Sequence, residues 1–206
     1  MSKHIHSYLA LGDSYTIGES VPLHDSFPYQ VVQLLRKQGI SFHAPEIVAK
    51  TGWTSSELAE HLLHHNYEEQ YDFVTLLIGV NNQYRRWSMD DYKSDFAFLL
   101  KKAIHLAQDK KHHVVALSIP DWGVTPFAKG RDAAQIAKEI DAFNNINHDI
   151  AQAAGVHYVE ITKGSRHAKE DNSLLAADGL HYSGKEHAKW AEQVAFIFQK
   201  MIQAGK

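Results

Sequence analysis

The chain has 206 residues, 44% of them hydrophobic and 22% charged, the proportions of an ordinary folded domain, which excludes intrinsic disorder and collagen-like repeats. Its 21 Lys and Arg against 24 Asp and Glu give a formal charge of -3, so nothing draws it as a whole to phosphate backbones or anionic membranes, and no nucleic-acid partner is expected. The absence of cysteine removes disulfides, thiolate nucleophiles and Cys-containing metal sites, and no apolar run approaches the roughly 18 residues of a membrane span.

The length suits one domain over residues 1–206. Met1 to His6 leads into structure without a signal-peptide apolar block, so the expected location is cytoplasmic; a mature secreted form would read the same way. Tyr8 to Leu11 is the first short β-rich run, followed by Gly12-Asp13-Ser14-Tyr15-Thr16. Glu46 to Ala49 is the second, ahead of Lys50-Thr51-Gly52-Trp53-Thr54, where Thr54-x-x-Glu57 has the form of a capping box and predicts a helix start. His61 and His65 lie one turn apart on that helix, but Leu62 stands where a metalloprotease needs Glu, and the pair reads as a solvated face.

Phe73 to Ile78 and Val114 to Ile119 are almost continuously apolar, as strands covered on both faces are, and belong in the middle of a sheet. Gly79-Val80-Asn81-Asn82 follows the first of them, and then a helical stripe of Tyr92, Phe96, Leu99, Leu100 and Ala103. Ile136, Ile140, Phe143 and Ile150 form the next stripe, and Val156 to Ile161 the fifth strand. Asp178-Gly179-Leu180-His181-Tyr182-Ser183 precedes a last helix, with a second capping-box pattern at Ser183-x-x-Glu186 and a core stripe of His187, Trp190, Ala191, Val194, Phe198 and Met201. Gly39 and Gly155 sit where C-cap glycines are expected. The alternation predicts an α/β fold: a three-layer α/β/α sandwich around a central parallel sheet of about five strands, with right-handed crossovers.

Such sheets bind ligands beyond the carboxyl ends of their strands, where this chain gathers a Ser, a Gly, an Asn and an Asp/His pair. Acyl transfer needs those types. A serine hydroxyl requires a base, and imidazole, with a pKa near 6.5, suits the task, so His181 is the candidate base for Ser14. Asp178, three residues earlier, can fix the imidazole tautomer and favour the imidazolium. The Ser14 and Gly52 N–H groups and the Asn81 amide are candidate oxyanion donors.

These four blocks resemble those of the SGNH hydrolase superfamily, which includes the GDSL esterases and lipases. Gly12-Asp13-Ser14 is similar to the first block with its nucleophile, Gly52 to the second-block glycine, Asn81 in Gly-x-Asn to the third, and Asp178-x-x-His181 to the last. The resemblance implies a flavodoxin-like fold and a cofactor-free serine hydrolase that cleaves small-molecule carboxylic esters through an acyl-enzyme; the family spans short-chain esterases, carbohydrate O-deacetylases, lysophospholipases and thioesterases, and the lack of an obvious lid insertion favours a short acyl group, with O-acetylated carbohydrates among the expected substrates. Tyr15 departs from the usual Leu and Asn82 from the more frequent Asp. Trp53, Tyr84 and Trp122, with Trp87 and Phe127, lie in loops after strands and are candidate substrate contacts. Arg85 and Arg86 offer either anion contacts or solubilising charge. The competing reading is a non-catalytic carbohydrate- or acyl-binding module on the same fold. A Gly-x-Ser-x-Gly elbow, a dinucleotide-binding glycine loop and a Walker A loop are all missing.

Overall fold

Runs too apolar to face water on either side pair with one another and take helices on both faces. A computed structural model describes residues 4–65, 67 and 70–204. In chain order the elements are β1 (Tyr8–Gly12), α1 (Ser14–Ile17), α2 (Phe27–Lys37), β2 (Glu46–Ala49), α3 (Ser55–His64), β3 (Phe73–Leu77), α4 (Val80–Tyr84), α5 (Met89–Leu106), β4 (Val114–Leu117), α6 (Ala133–Ala154), β5 (His157–Val159), α7 (Thr162–Ser165) and α8 (Gly184–Ala204). The five strands form one parallel sheet in the order β2-β1-β3-β4-β5, the flavodoxin-like arrangement expected. Every residue of β1, β3 and β4 is buried, and these three are the interior strands.

The reversal of direction at β1 sorts the crossovers. The connection from β1 to β2 runs one way across the sheet and those from β2 to β3, β4 and β5 run the other, so right-handed crossovers put α2 on one face and α3, α5 and α6 on the opposite one. The packing agrees: α8 lies against α2, while α5 packs on α3 and α6. The predicted stripes are the buried ones, Tyr92, Phe96, Leu99, Leu100 and Ala103 in α5 and Trp190, Ala191, Val194 and Phe198 in α8. Gly155 caps α6 in the left-handed region, and Gly39 adopts the same conformation just past α2. No helix among the described residues is long and apolar enough to cross a membrane.

The two capping-box patterns part company. At Thr54 the box forms, the Thr side chain accepting from Glu57 N and the Glu57 carboxylate taking Thr54 N–H at 2.8 Å. At Ser183 it does not. The Ser183 hydroxyl donates to the Ser173 carbonyl at 2.7 Å, and the buried Glu186 carboxylate accepts from Trp190 Nε1 at 3.2 Å and Lys189 Nζ at 2.6 Å. A nearby carbonyl and a buried indole N–H, both invisible to a four-residue pattern, draw the two side chains elsewhere.

Strand register fixes the site. Gly12 pairs with Ala49 on one side and Leu77 on the other, so β1, β2 and β3 end side by side and release their loops at one edge. Gly12 has no substitute there, because a Cβ would collide with the Leu77 carbonyl and the Thr16 side chain.

Candidate active site

At that edge Asp13 caps the short helix α1, its carboxylate accepting from Tyr15 N at 3.0 Å, and Ser14 is the first helical residue. The Ser14 hydroxyl therefore stands at the mouth of the turn and its N–H is one of the unpaired donors of a helix start. Asp13 is fully enclosed. Burial pushes its carboxyl up to about 7, against the opposing pull of the Tyr15 amide.

The last block arrives from across the sheet. His181 Nε2 lies 3.0 Å from Ser14 Oγ, and His181 Nδ1 lies 2.6 Å from Asp178 Oδ2. Asp178 Oδ1 accepts the Leu180 and His181 amides at 2.9 Å each, a compact turn closed through Gly179 at φ 68°. Burial opposes ionisation of Asp178, but His181, the two amides and the Ser20 hydroxyl outweigh it and hold the carboxyl well below its usual range. A negative Asp178 accepting from Nδ1 leaves the Nε2 lone pair directed at the Ser14 hydroxyl. Tyr15, the departure in the first block, packs edge-on against the His181 ring at 5.5 Å and closes the space behind it with Tyr182 and Trp190.

Gly52 follows β2 with φ 83°, a left-handed conformation other residues adopt at a cost. Its carbonyl accepts Arg85 Nη2 at 2.7 Å, while Arg85 Nη1 approaches Glu57 at 3.4 Å. Arg85 thus holds the Gly52 loop and is not directed at a substrate anion. The Asn81 amide donates to the Trp53 carbonyl at 2.9 Å, which fixes its orientation beside the cavity and uses one of its two amide hydrogens. Asn82 does something else. It is fully buried, its Oδ1 accepting Ser55 N and its Nδ2 donating to Ser55 Oγ, so it ties α4 to the start of α3.

Ser14, Gly52, Asn81 and His181 line one cavity of about 170 Å³, with Tyr15, Thr51, Val80, Tyr84, Trp122, Phe127 and Leu180. Of the three aromatics singled out from the sequence, Tyr84 and Trp122 are in its wall and Trp53 is not; the Trp53 ring lies over His61 at 4.7 Å, and its contribution is the carbonyl that orients Asn81. Arg131 sits over the rings of Tyr84, Trp122 and Phe127 at 5.1, 5.2 and 5.5 Å and braces that wall from outside. A wider groove of about 600 Å³ runs past Arg86, Trp87, Met89 and Lys138, but it holds none of Ser14, Gly52, Asn81 and His181.

Two contacts escape sequence reading. Ser20, a non-glycine residue at φ 63°, donates its hydroxyl to Asp178 Oδ2 at 2.8 Å from 158 residues away. Arg85 reaches Gly52 across 33 residues. Neither belongs to a motif; the one local hint is the Gly18-Glu19-Ser20 turn, whose backbone would suit a second glycine.

Comparison with known proteins gives a family and a fold. A sequence profile of the GDSL-like lipase/acylhydrolase family matches residues 10–189. The fold is similar to that of TesA (TM-score 0.73, 19% identity, 94% of this chain and 98% of that one). It is also similar to that of the psychrotrophic esterase EstA from Pseudoalteromonas sp., solved inhibited by monoethylphosphonate (0.72, 14%, 96% and 99%). A third similar structure is Axe2, an acetylxylan esterase from Geobacillus stearothermophilus (0.73, 16%, 94% and 94%). No curated protein matches the chain by sequence. With the family profile running from β1 into α8 and the loops it spans converging on one cavity, the chain belongs to the GDSL-like lipase/acylhydrolase family of carboxylic ester hydrolases.

Proposed function

We propose that this protein is a single-domain serine esterase that hydrolyses short-chain carboxylic esters, O-acetylated carbohydrates among them, through an acyl-enzyme on Ser14. The observation that carries the reading is the unbroken relay from Ser14 Oγ to His181 Nε2 at 3.0 Å and from His181 Nδ1 to Asp178 at 2.6 Å, at the mouth of a small apolar cavity. His181 takes the Ser14 proton as Oγ forms its bond to the acyl carbon, and the imidazolium is stabilised by ionised Asp178. The carbonyl oxygen becomes an oxyanion facing the Ser14 and Gly52 N–H groups and the free Asn81 amide hydrogen. Collapse of the tetrahedral intermediate breaks the ester C–O bond, and the His181 proton goes to the departing alkoxide. Water then repeats the sequence, with His181 again as base, and releases the acid.

Size supports the substrate class. About 170 Å³ bounded by Tyr84, Trp122 and Phe127 is small beside the roughly 300–1,000 Å³ of sites that enclose drug-sized ligands, and suits an acyl group of a few carbons. Tyr84 and Phe127 in its wall are each about 40% accessible, and an alcohol such as a sugar would rest beside them. The acetylxylan specificity of Axe2, a protein of similar fold, points the same way. The test is hydrolysis of p-nitrophenyl acetate, butyrate and octanoate and of acetylated xylo-oligosaccharide by wild type and Ser14→Ala. Turnover that favours the shorter acyl groups and vanishes in Ser14→Ala is expected. Wild-type levels of turnover in Ser14→Ala would overturn the assignment, and no turnover on any ester by folded wild type would favour a binding module.

A further inference from the structure

His4, His6 and Asp72 meet at the other edge of the sheet, where β1 and β3 begin. His6 makes a parallel bridge to Phe42, so the chain is extended there, and His4, two residues earlier, falls on the same side; their rings are 4.5 Å apart. Register brings in the carboxylate. Tyr8 pairs with Phe73, which sets Asp72 beside Ser7, and the two exchange hydrogen bonds, Ser7 N to Asp72 Oδ2 at 2.9 Å and Asp72 N to Ser7 Oγ at 3.0 Å. Asp72 Oδ2 then stands 3.0 Å from His4 Nε2 and 3.5 Å from His6 Nδ1.

We propose that His4, His6 and Asp72 form a binding site for a borderline divalent cation, Zn²⁺ above all, that fastens the segment preceding β1 to the start of β3. The spacing fits. Zinc–ligand bonds of about 2.0–2.1 Å at tetrahedral angles separate ligand atoms by roughly 3.3 Å, and the two His-to-Asp separations bracket that value. Two imidazoles and one carboxylate select Zn²⁺ or Co²⁺ over Mg²⁺ and Ca²⁺, which favour all-oxygen sites. The second, independent observation is His6 Nδ1. It is buried, has no hydrogen-bond partner among the described residues, and faces a carboxylate oxygen. A neutral imidazole can direct its Nδ1 lone pair at a cation held beside the same carboxylate oxygen. The surroundings are built to hold the ligands: the His6 ring packs on Phe42 and Phe73, and His113 Nδ1 bonds the Asp72 carbonyl at 2.7 Å. Three protein ligands leave a fourth position for water. Because the site lies at the opposite ends of the strands from Ser14, its role is to stabilise the fold and not to take part in ester cleavage.

The experiment is calorimetric titration of the EDTA-treated, dialysed full chain with ZnCl₂, repeated with Co²⁺ and its visible absorption, on wild type, His4→Ala, Asp72→Asn and His65→Ala. His4→Ala removes an exposed ring, and its unchanged thermal unfolding without metal and unchanged ester turnover would report intact folding. His65→Ala removes the other obvious pair, His61 in α3 and His65 just past its end, stacked at 3.8 Å. The expected result is one Zn²⁺ per wild-type chain, with a raised Tm. Affinity should fall about tenfold or more in His4→Ala and Asp72→Asn and stay unchanged in His65→Ala. Wild-type binding no tighter than that of His4→Ala, binding that survives Asp72→Asn, or binding lost in His65→Ala would overturn the proposal.

Discussion

His187 provides a quantitative test of how the helical layer behind the site is held. It is fully buried in α8, lies 4.6 Å from the Trp190 ring, and accepts the Phe27 N–H through Nδ1 at 3.2 Å, joining α8 to the start of α2. Burial, with a smaller contribution from His181, lowers its pKa from 6.5 to about 3. The unfolded chain therefore binds a proton below about pH 6.5 that the native protein refuses, so the stability tied to this group is present above that pH and is lost as pH falls toward about 3. At about 1.4 kcal/mol per pH unit, the two units between pH 6.5 and 4.5 amount to roughly 2.7 kcal/mol. His187→Asn keeps an acceptor near the Nδ1 position and removes the titration. Urea unfolding of both proteins at about pH 7.5 and pH 4.5 is the assay, and the change in ΔG with pH should be smaller in the variant by about 2–3 kcal/mol. The absolute stability of the variant will also drop through lost ring packing, but that loss is common to both pH values and cancels. Parallel pH dependences, within about 0.5 kcal/mol, would show that His187 is not held neutral by burial.

Three further outcomes follow from the site. Ser20→Ala should lower kcat by roughly 2- to 10-fold with KM little changed, the equivalent of one hydrogen bond of about 0.5–1.5 kcal/mol to Asp178, and an unaltered kcat would remove Ser20 from any positioning role. Asn82→Ala should cost about 1–3 kcal/mol or more in denaturant unfolding, because it strands the buried Ser55 N–H; a loss below about 0.5 kcal/mol would mean the loop finds another acceptor. Phe127→Ala opens the cavity wall, and the octanoate-to-acetate ratio of kcat/KM should rise, by up to about fourfold for each methylene newly enclosed; an unmoved ratio would place the acyl group elsewhere.

Much of this arrangement was legible in the chain because its signals are local. Phe73 to Leu77 and Val114 to Leu117 announce themselves by unbroken apolarity, and the loops after Gly12, Ala49 and Leu77 share an edge because parallel register leaves them nowhere else to go. Asp178 and His181 share one turn, so their spacing alone foretells a bond. What escaped depends on partners distant in sequence. Ser183 fits a capping box yet serves the Ser173 carbonyl, and Trp53 sits in the right loop yet turns its ring to His61. Ser20, Arg85 and Arg131 acquire their roles only when loops far apart in sequence meet. His4, His6 and Asp72 likewise become a cluster only through the pairing of β1 with β3.

Everything proposed for the site depends on Ser14 being a nucleophile activated by His181. The most direct test of that assignment is reaction with a fluorophosphonate followed by intact-mass and peptide mass spectrometry on wild type, Ser14→Ala and His181→Ala. One adduct per wild-type chain located on Ser14 is expected, with none in Ser14→Ala and labelling slowed by about a hundredfold or more in His181→Ala. An adduct on another residue, or labelling of His181→Ala at the wild-type rate, would contradict it.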